Sequence, residues 1–188
     1  PPPVKVLACE HNIPVYQPNS LKTGDSAEIL KEIAPDVLVV VAYGKILPKE
    51  ILDIPKYGCV NGHASLLPKY RGSAPIQYAI LCGETITGVT TQLMDEGIDT
   101  GDILETAKVE IGENETAEEL FDRLAVISAD LMISTLEKLE KGEVTPKKQE
   151  GEATYAHIIK KEMALLDFSK PANEVHNAVR AYYSWPCQ

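Results

Sequence analysis

The chain has 188 residues, 44% of them hydrophobic, and a formal charge of −10. That length suits one domain, or one domain with a short appendage, and the apolar content excludes disorder by allowing a packed core. No apolar run approaches the ~20 residues of a membrane span, and the acidic balance argues against a general nucleic-acid surface, because neutralising phosphates takes clustered Lys and Arg.

Residues 1–3 are prolines with no basic or apolar leader pattern around them, so no signal peptide is expected and a cytoplasmic setting is. Residues 4–10 predict a helical turn and residues 13–16 a short strand. Residues 26–33 have helical spacing, with Ile29, Leu30 and Ile33 on one face, and Pro35 ends that helix. Residues 36–43 read DVLVVVAY, the pattern of a central parallel strand covered on both faces. A short helical stretch over 49–52 precedes a strand over 58–63. Residues 75–82 predict a helix with proline in its first turn, ending before Gly83. Strands over 88–93 and 103–111 follow.

Residues 116–141 predict a long helix. Thr116 and Glu119 form a capping box at its start, Leu120, Leu124, Ile127, Leu131, Leu136 and Leu139 recur at helical intervals, and Gly142 ends it. Residues 144–168 read as an extended connector. Residues 172–182 predict an amphipathic helix with Val175 and Val179 inward. Strands alternating with helices imply an α/β fold, Rossmann-like, with a mostly parallel sheet, flanking helices and a C-terminal connector. The expected division is a domain over 1–142 and, over 143–188, a linker with the start of a further domain. Cys9, Cys59, Cys82 and Cys187 are scattered, with no C-x-x-C pair and no metal-ligand spacing. Free buried thiols are expected, and no metal.

In open parallel sheets, ligands sit beyond the carboxyl ends of strands. Three polar or glycine-rich loops leave such ends, over 44–47, 63–72 and 95–101. Asn61 and His63 are two apart on a strand, so both side chains point to one face. An amide can stabilise an oxyanion, and an imidazole can move a proton. Asp99 could orient the imidazole or hold a water that relays a proton. For an isolated Asn-x-His the plainer alternative stands, a His that caps a strand and an Asp that fills a turn. The long loop and the Asp-Thr-Gly-Asp turn beside the pair favour the chemical reading.

Ser65 lacks a G-x-S-x-G elbow, so its hydroxyl is expected to serve the loop. With no activated hydroxyl or thiol among these groups, acyl transfer to an outside nucleophile is the expected chemistry. Arg71 could contact an anion or make a surface salt bridge. Gly97 and Gly101 are expected to supply positive φ to a tight loop. His11, His157 and His176 are expected to be surface or structural residues.

The segments VVVAYGKILPKEIL (39–52), GCVNGHASLLPKYRGSAPIQYAI (58–80), TGVTTQLMDEGIDTGDIL (87–104) and TYAHIIKKE (154–162) resemble the formyltransferase family that uses 10-formyltetrahydrofolate. The resemblance covers essentially the whole chain. The wording of 42–48 and 95–102 favours the branch acting on initiator tRNA over the purine-pathway and sugar-nucleotide branches.

The resemblance implies a catalytic trio of Asn61, His63 and Asp99. It implies a folate pocket lined by Lys45, Ile46, Leu47, Asp95, Glu96, Gly97 and Ile98, and a substrate loop of Ser65, Leu66, Leu67, Pro68, Arg71 and Gly72. The implied reaction is attack by the α-amine of methionyl-initiator tRNA on the formyl carbon of 10-formyltetrahydrofolate, without a metal. A sugar-nucleotide or other small amine as acceptor, or a folate-binding remnant without turnover, are the alternatives. Against the family pattern the chain reads as shortened at both ends. Weak tRNA binding by this segment is therefore expected.

Overall fold

A computed structural model describes residues 1–186; Cys187 lies outside the described residues. The helices α1 (Pro3–Glu10) and α2 (Ser26–Ile33) come first. Ala34 closes α2 in the left-handed region at φ 50, ahead of Pro35, whose ring disfavours a helical residue before it. Strand β1 (Leu38–Val41) and the short helix α3 (Lys49–Leu52) lead to β2 (Cys59–His63). Then come β3 (Arg71–Gly72), α4 (Pro75–Leu81), β4 (Ile86–Leu93) and β5 (Asp102–Glu110). The long helix α5 (Ala117–Lys141) is followed by β6 (Tyr155–Ala156), a 3-10 turn (Lys161–Ala164) and α6 (Ala172–Tyr182).

The capping box of α5 forms as its sequence predicts. Thr116 Oγ1 accepts from Glu119 N at 3.3 Å, and Glu119 Oε2 accepts from Thr116 N at 2.9 Å. Gly142 ends the helix at φ 68. Leu120 and Leu124 of α5 pack with Val89 and Val109 of the sheet and with Ile76, Ala79 and Ile80 of α4, forming a buried cluster.

The α/β class and the flanking helices hold, but the sheet is mixed. Its order is β1-β2-β4-β5. Only β1–β2 is parallel; β2–β4 and β4–β5 are antiparallel. The connection between β4 and β5 is far too short for a parallel crossover and closes as a hairpin, which makes that pair antiparallel. Because β4 also runs against β2, Leu93 at the end of β4 pairs with Val60 near the start of β2. The loop over 95–101 leaves the sheet at the opposite end from the loops after β1 and β2, and reaches the site by folding back over the sheet.

Other expectations need correction. Residues 13–16 form no strand. Strand β1 is an edge, not a covered centre: Val39 and Val41 are 44% and 57% exposed. It borders a groove of about 510 Å³ whose other wall is α2 and residues 16–18. In α6, Val179 faces outward while Arg180, Ala181 and Tyr182 are buried, because α6 lies against α4 through its C-terminal turn. Cys9 and Cys82 are exposed, not buried. Cys59 is buried, and that burial, with Asp53 second, pushes its thiol up to about 11.

The segment after 142 has little regular structure, as expected of a connector, yet it is tied to the body. Ile103 and Lys147 exchange backbone hydrogen bonds at 2.7 and 2.8 Å. Strand β6 pairs in parallel with β3, and Arg180 Nη1 donates to the carbonyls of Gly112 and Glu115, both at 3.1 Å. Among the described residues, no helix is long and apolar enough to cross a membrane.

Candidate active site

Strand geometry sets the first pair. Asn61 and His63 stand on one face of β2, and the antiparallel register places Gln92 opposite Asn61 and Thr90 opposite His63. Asp99 comes to that face from the folded-back turn. Its Oδ1 accepts from Asn61 Nδ2 at 3.3 Å and from Gln92 Nε2 at 2.8 Å, and its Oδ2 accepts from Gly72 N at 2.8 Å. His63 Nδ1 faces Asp99 Oδ1 at 3.6 Å. The structure thus brings together the amide, the imidazole and the carboxylate that spacing alone left apart.

The imidazole is buried, and its direct hydrogen-bond partner is the Tyr70 carbonyl, 2.9 Å from Nε2. A carbonyl only accepts, so Nε2 carries the proton and Nδ1 is turned to Asp99. Orientation of the ring thus comes from Tyr70, with Asp99 at ion-pair distance. Tyr70 is itself fixed: its N donates to Thr154 Oγ1 at 2.9 Å and its hydroxyl to Glu84 at 2.7 Å. Burial, then the Glu84 hydrogen bond, raises its phenol above the ordinary value. Glu84 is held below the usual carboxylate range, first by Lys69 and then by Tyr70, against the opposing effect of its burial.

The turn carrying Asp99 depends on two glycines, for a reason other than the expected one. Neither Gly97 nor Gly101 has positive φ; Asp99 does, at 51. The glycines are needed for close approach: a Cβ on Gly97 would collide with the Thr100 side chain, and one on Gly101 with the Leu93 carbonyl. Asp95 Oδ1 closes the same turn by accepting from Gly97 N at 2.9 Å and Thr100 Oγ1 at 2.5 Å.

Of the expected folate residues, Leu47 is buried among Ile51 and Cys59, a cluster that Met94 also packs against. The two loops therefore share one base. Ile46 and Ile98 are exposed apolar side chains on those loops, and Glu96 and Gly97 are exposed as well. Lys45 Nζ donates to the Asn19 carbonyl at 3.0 Å.

In the substrate loop, Ser65 is buried and donates to the Lys69 carbonyl at 2.6 Å, the loop role its neighbours predict. Leu67 N donates to Thr90 Oγ1 at 3.2 Å, while Leu66 and Pro68 are half-buried. The Arg71 guanidinium donates to Gln149 Oε1 from Nε at 3.1 Å and from Nη2 at 2.7 Å. His11, His157 and His176 are exposed.

Gln92 was missed by the sequence reading. It is 1% exposed, and its Oε1 has no hydrogen-bond partner among the described residues. A glutamine amid the half-apolar run GVTTQLM was the available signal, since a buried amide needs a partner.

Residues 1–136 match the formyl transferase family and residues 158–188 match the formyl transferase C-terminal domain; the chain belongs to this family. The methionyl-tRNA formyltransferase of Thermodesulfovibrio yellowstonii is 50% identical over 186 residues, which is 99% of this chain and 60% of that protein. The chain spans about 60% of the length of the curated relatives it matches. Among solved structures, methionyl-tRNA formyltransferase from Clostridium thermocellum has a TM-score of 0.69 at 26% identity, over 94% of this chain and 75% of its own. A sugar N-formyltransferase from Shewanella has a TM-score of 0.76 at 25% identity, over 87% of this chain and 66% of its own.

Proposed function

We propose that this chain carries the catalytic part of an enzyme that transfers a formyl group from 10-formyltetrahydrofolate to the α-amine of methionyl-initiator tRNA. The observation that carries the reading is the meeting of Asn61, His63 and Asp99 on one sheet face. 10-Formyltetrahydrofolate supplies the formyl group when bound. The Asn61 amide donates to the oxygen on which negative charge develops as the amine adds. His63, with Nε2 tied to Tyr70, works through Nδ1, which exchanges a proton with the reacting centre. Asp99 accepts the amine's proton, directly or through a water, and as the carbon–N10 bond breaks that proton passes by way of His63 Nδ1 to N10, which leaves as tetrahydrofolate. None of these steps asks for a metal.

Lys45, Ile46 and Leu47 together with Asp95, Glu96, Gly97 and Ile98 are proposed to hold the folate. The exposed Ile46 and Ile98 fit a flat ring, and the backbone donors and acceptors of such loops suit its polar edge. Ser65, Leu66, Leu67, Pro68, Arg71 and Gly72 are proposed to shape the acceptor side. Residues 1–142 would form the catalytic unit and 143–188 the connector into the C-terminal domain, in a cytoplasmic protein. Relatives near 50% identity named methionyl-tRNA formyltransferase support the tRNA acceptor. The fold likeness to a sugar N-formyltransferase keeps a sugar-nucleotide amine as the second reading. A folate-binding remnant without turnover is the third.

Tetrahydrofolate release measured with methionyl-initiator tRNA, and separately with amino-sugar nucleotides, separates the three. Release only with the tRNA is expected. Release only with the sugar, or with neither despite folate binding, would replace the proposal with the second or the third reading.

A further inference from the structure

We propose that Gln149, which lies outside the catalytic unit, is the positioning residue that holds Asp99 in place. The proposal rests on the reading of Asp99 as a catalytic group. Gln149 Nε2 donates to the carbonyl oxygens of Asp99 and Gly101, both at 2.8 Å. Its Oε1 accepts from Arg71 Nε at 3.1 Å and Nη2 at 2.7 Å. A primary amide has two hydrogens to give and two lone pairs to fill, so all of its hydrogen-bonding capacity is spent here.

The backbone that this amide grips is strained. Asp99 sits at φ 51, where a non-glycine residue needs its surroundings to hold it. The carboxylate end of Asp99 is caught by Asn61, Gln92 and Gly72. The backbone end is caught by Gln149. Gln149 is placed in turn by the paired hydrogen bonds between Lys147 and Ile103, two residues before it, and Arg71 by donation of its N to the Thr154 carbonyl at 2.9 Å. Adjacent residues of β3 thus reach both ends of Asp99: Gly72 directly, Arg71 through Gln149. The chain after 142 thereby completes the site.

The discriminating variant is Gln149→Glu. It keeps the size and the Arg71 contact, but it turns an oxygen toward two carbonyl oxygens where a donor stood. Expected in the full chain is a fall in kcat on the order of 10²-fold, the cost of a small misplacement of a reacting group. KM for both substrates should stay within about threefold, since neither is proposed to touch this amide. Arg71→Lys, which removes the planar fork, should lower kcat in the same direction and by less. It serves where Gln149→Glu fails to fold. Asp99→Asn is the reference. If Asp99→Asn turns over like wild type, the role of Asp99 falls and the clamp with it. If Asp99→Asn is inactive while Gln149→Glu keeps its kcat, the clamp alone is refuted. A lower Tm with unchanged kcat per folded molecule would mark a purely structural tie, and would also overturn the proposal.

Discussion

Gln92 stands directly across from Asn61 in the β2–β4 register, and both side-chain amides donate to the same oxygen of Asp99, at 2.8 and 3.3 Å. The shorter contact belongs to the fully buried Gln92, which therefore holds this oxygen more firmly than Asn61 does. The longer one belongs to half-buried Asn61, whose amide gives up less when it turns to a substrate oxygen. One residue secures the carboxylate, and its neighbour is left to work.

The catalytic reading predicts the effect of truncating either partner. His63→Ala and Asp99→Ala should each lower formyl transfer by about 10²–10³-fold, or roughly 3–4 kcal/mol of transition-state stabilisation. Folate affinity should change by less than about tenfold, because these groups act on charge that develops only during reaction. Single-turnover assays with a parallel folate titration check both parts. Turnover like wild type in either variant removes that residue from the mechanism.

Folate binding should protect two stretches of backbone. With a stable folate analogue bound, amide hydrogen exchange should slow over 45–47 and 95–99 and stay unchanged in α5, which lies on the other side of the sheet's core. The shared cluster under Leu47 and Met94 is why both loops should respond together. Protection at neither loop would mean that the pocket lies elsewhere.

Acid stability should carry the mark of Glu105. Its carboxylate accepts from Ser134 Oγ at 3.1 Å, from Thr135 Oγ1 at 2.9 Å and from Lys138. Burial pushes this carboxyl up, but the Lys138, Thr135 and Ser134 contacts together outweigh it and hold the group below its ordinary value. A depressed folded value means that the unfolded chain binds the proton more readily. The contribution is therefore full above the ordinary carboxyl value of about 4.3 and is lost as pH falls through the folded value. The stability gap between wild type and Glu105→Gln should shrink from pH 6 to pH 3 in urea titrations. A gap that is constant or widens toward acid contradicts this account.

Binding of tRNA by this chain should be weak and only shallowly salt-dependent. Its formal charge of −10 opposes a polyanion at long range. The two basic residues of the 63–72 loop are engaged, Lys69 with Glu84 at 2.7 Å and Arg71 with Gln149. A slope of about one to two in log K against log salt is expected if they contact phosphates. Filter binding at two salt concentrations, with initiator and elongator tRNA, tests it. Tight, selective binding with a steep slope would place tRNA recognition within this segment.

What the amino-acid order settled by itself is what depends on near neighbours. The two-residue period of a strand put Asn61 and His63 on one face, and a Thr followed three residues later by Glu capped α5. The apolar stripe of 120–139 marked its buried side. These rest on backbone periodicity and short-range hydrogen bonds, which any fold containing those elements would keep. Direction and partnership lay beyond such a reading. That β4 runs against β2, that β1 is an edge with Val39 and Val41 exposed, and that Tyr70's carbonyl orients His63 each depend on how separate elements meet. Gln149 reaches Asp99 and Arg71 across 50 and 78 residues of sequence. Only the packed chain decides such contacts, because a buried amide or carboxylate must find its partners wherever folding brings them, and local propensity carries no record of where that is.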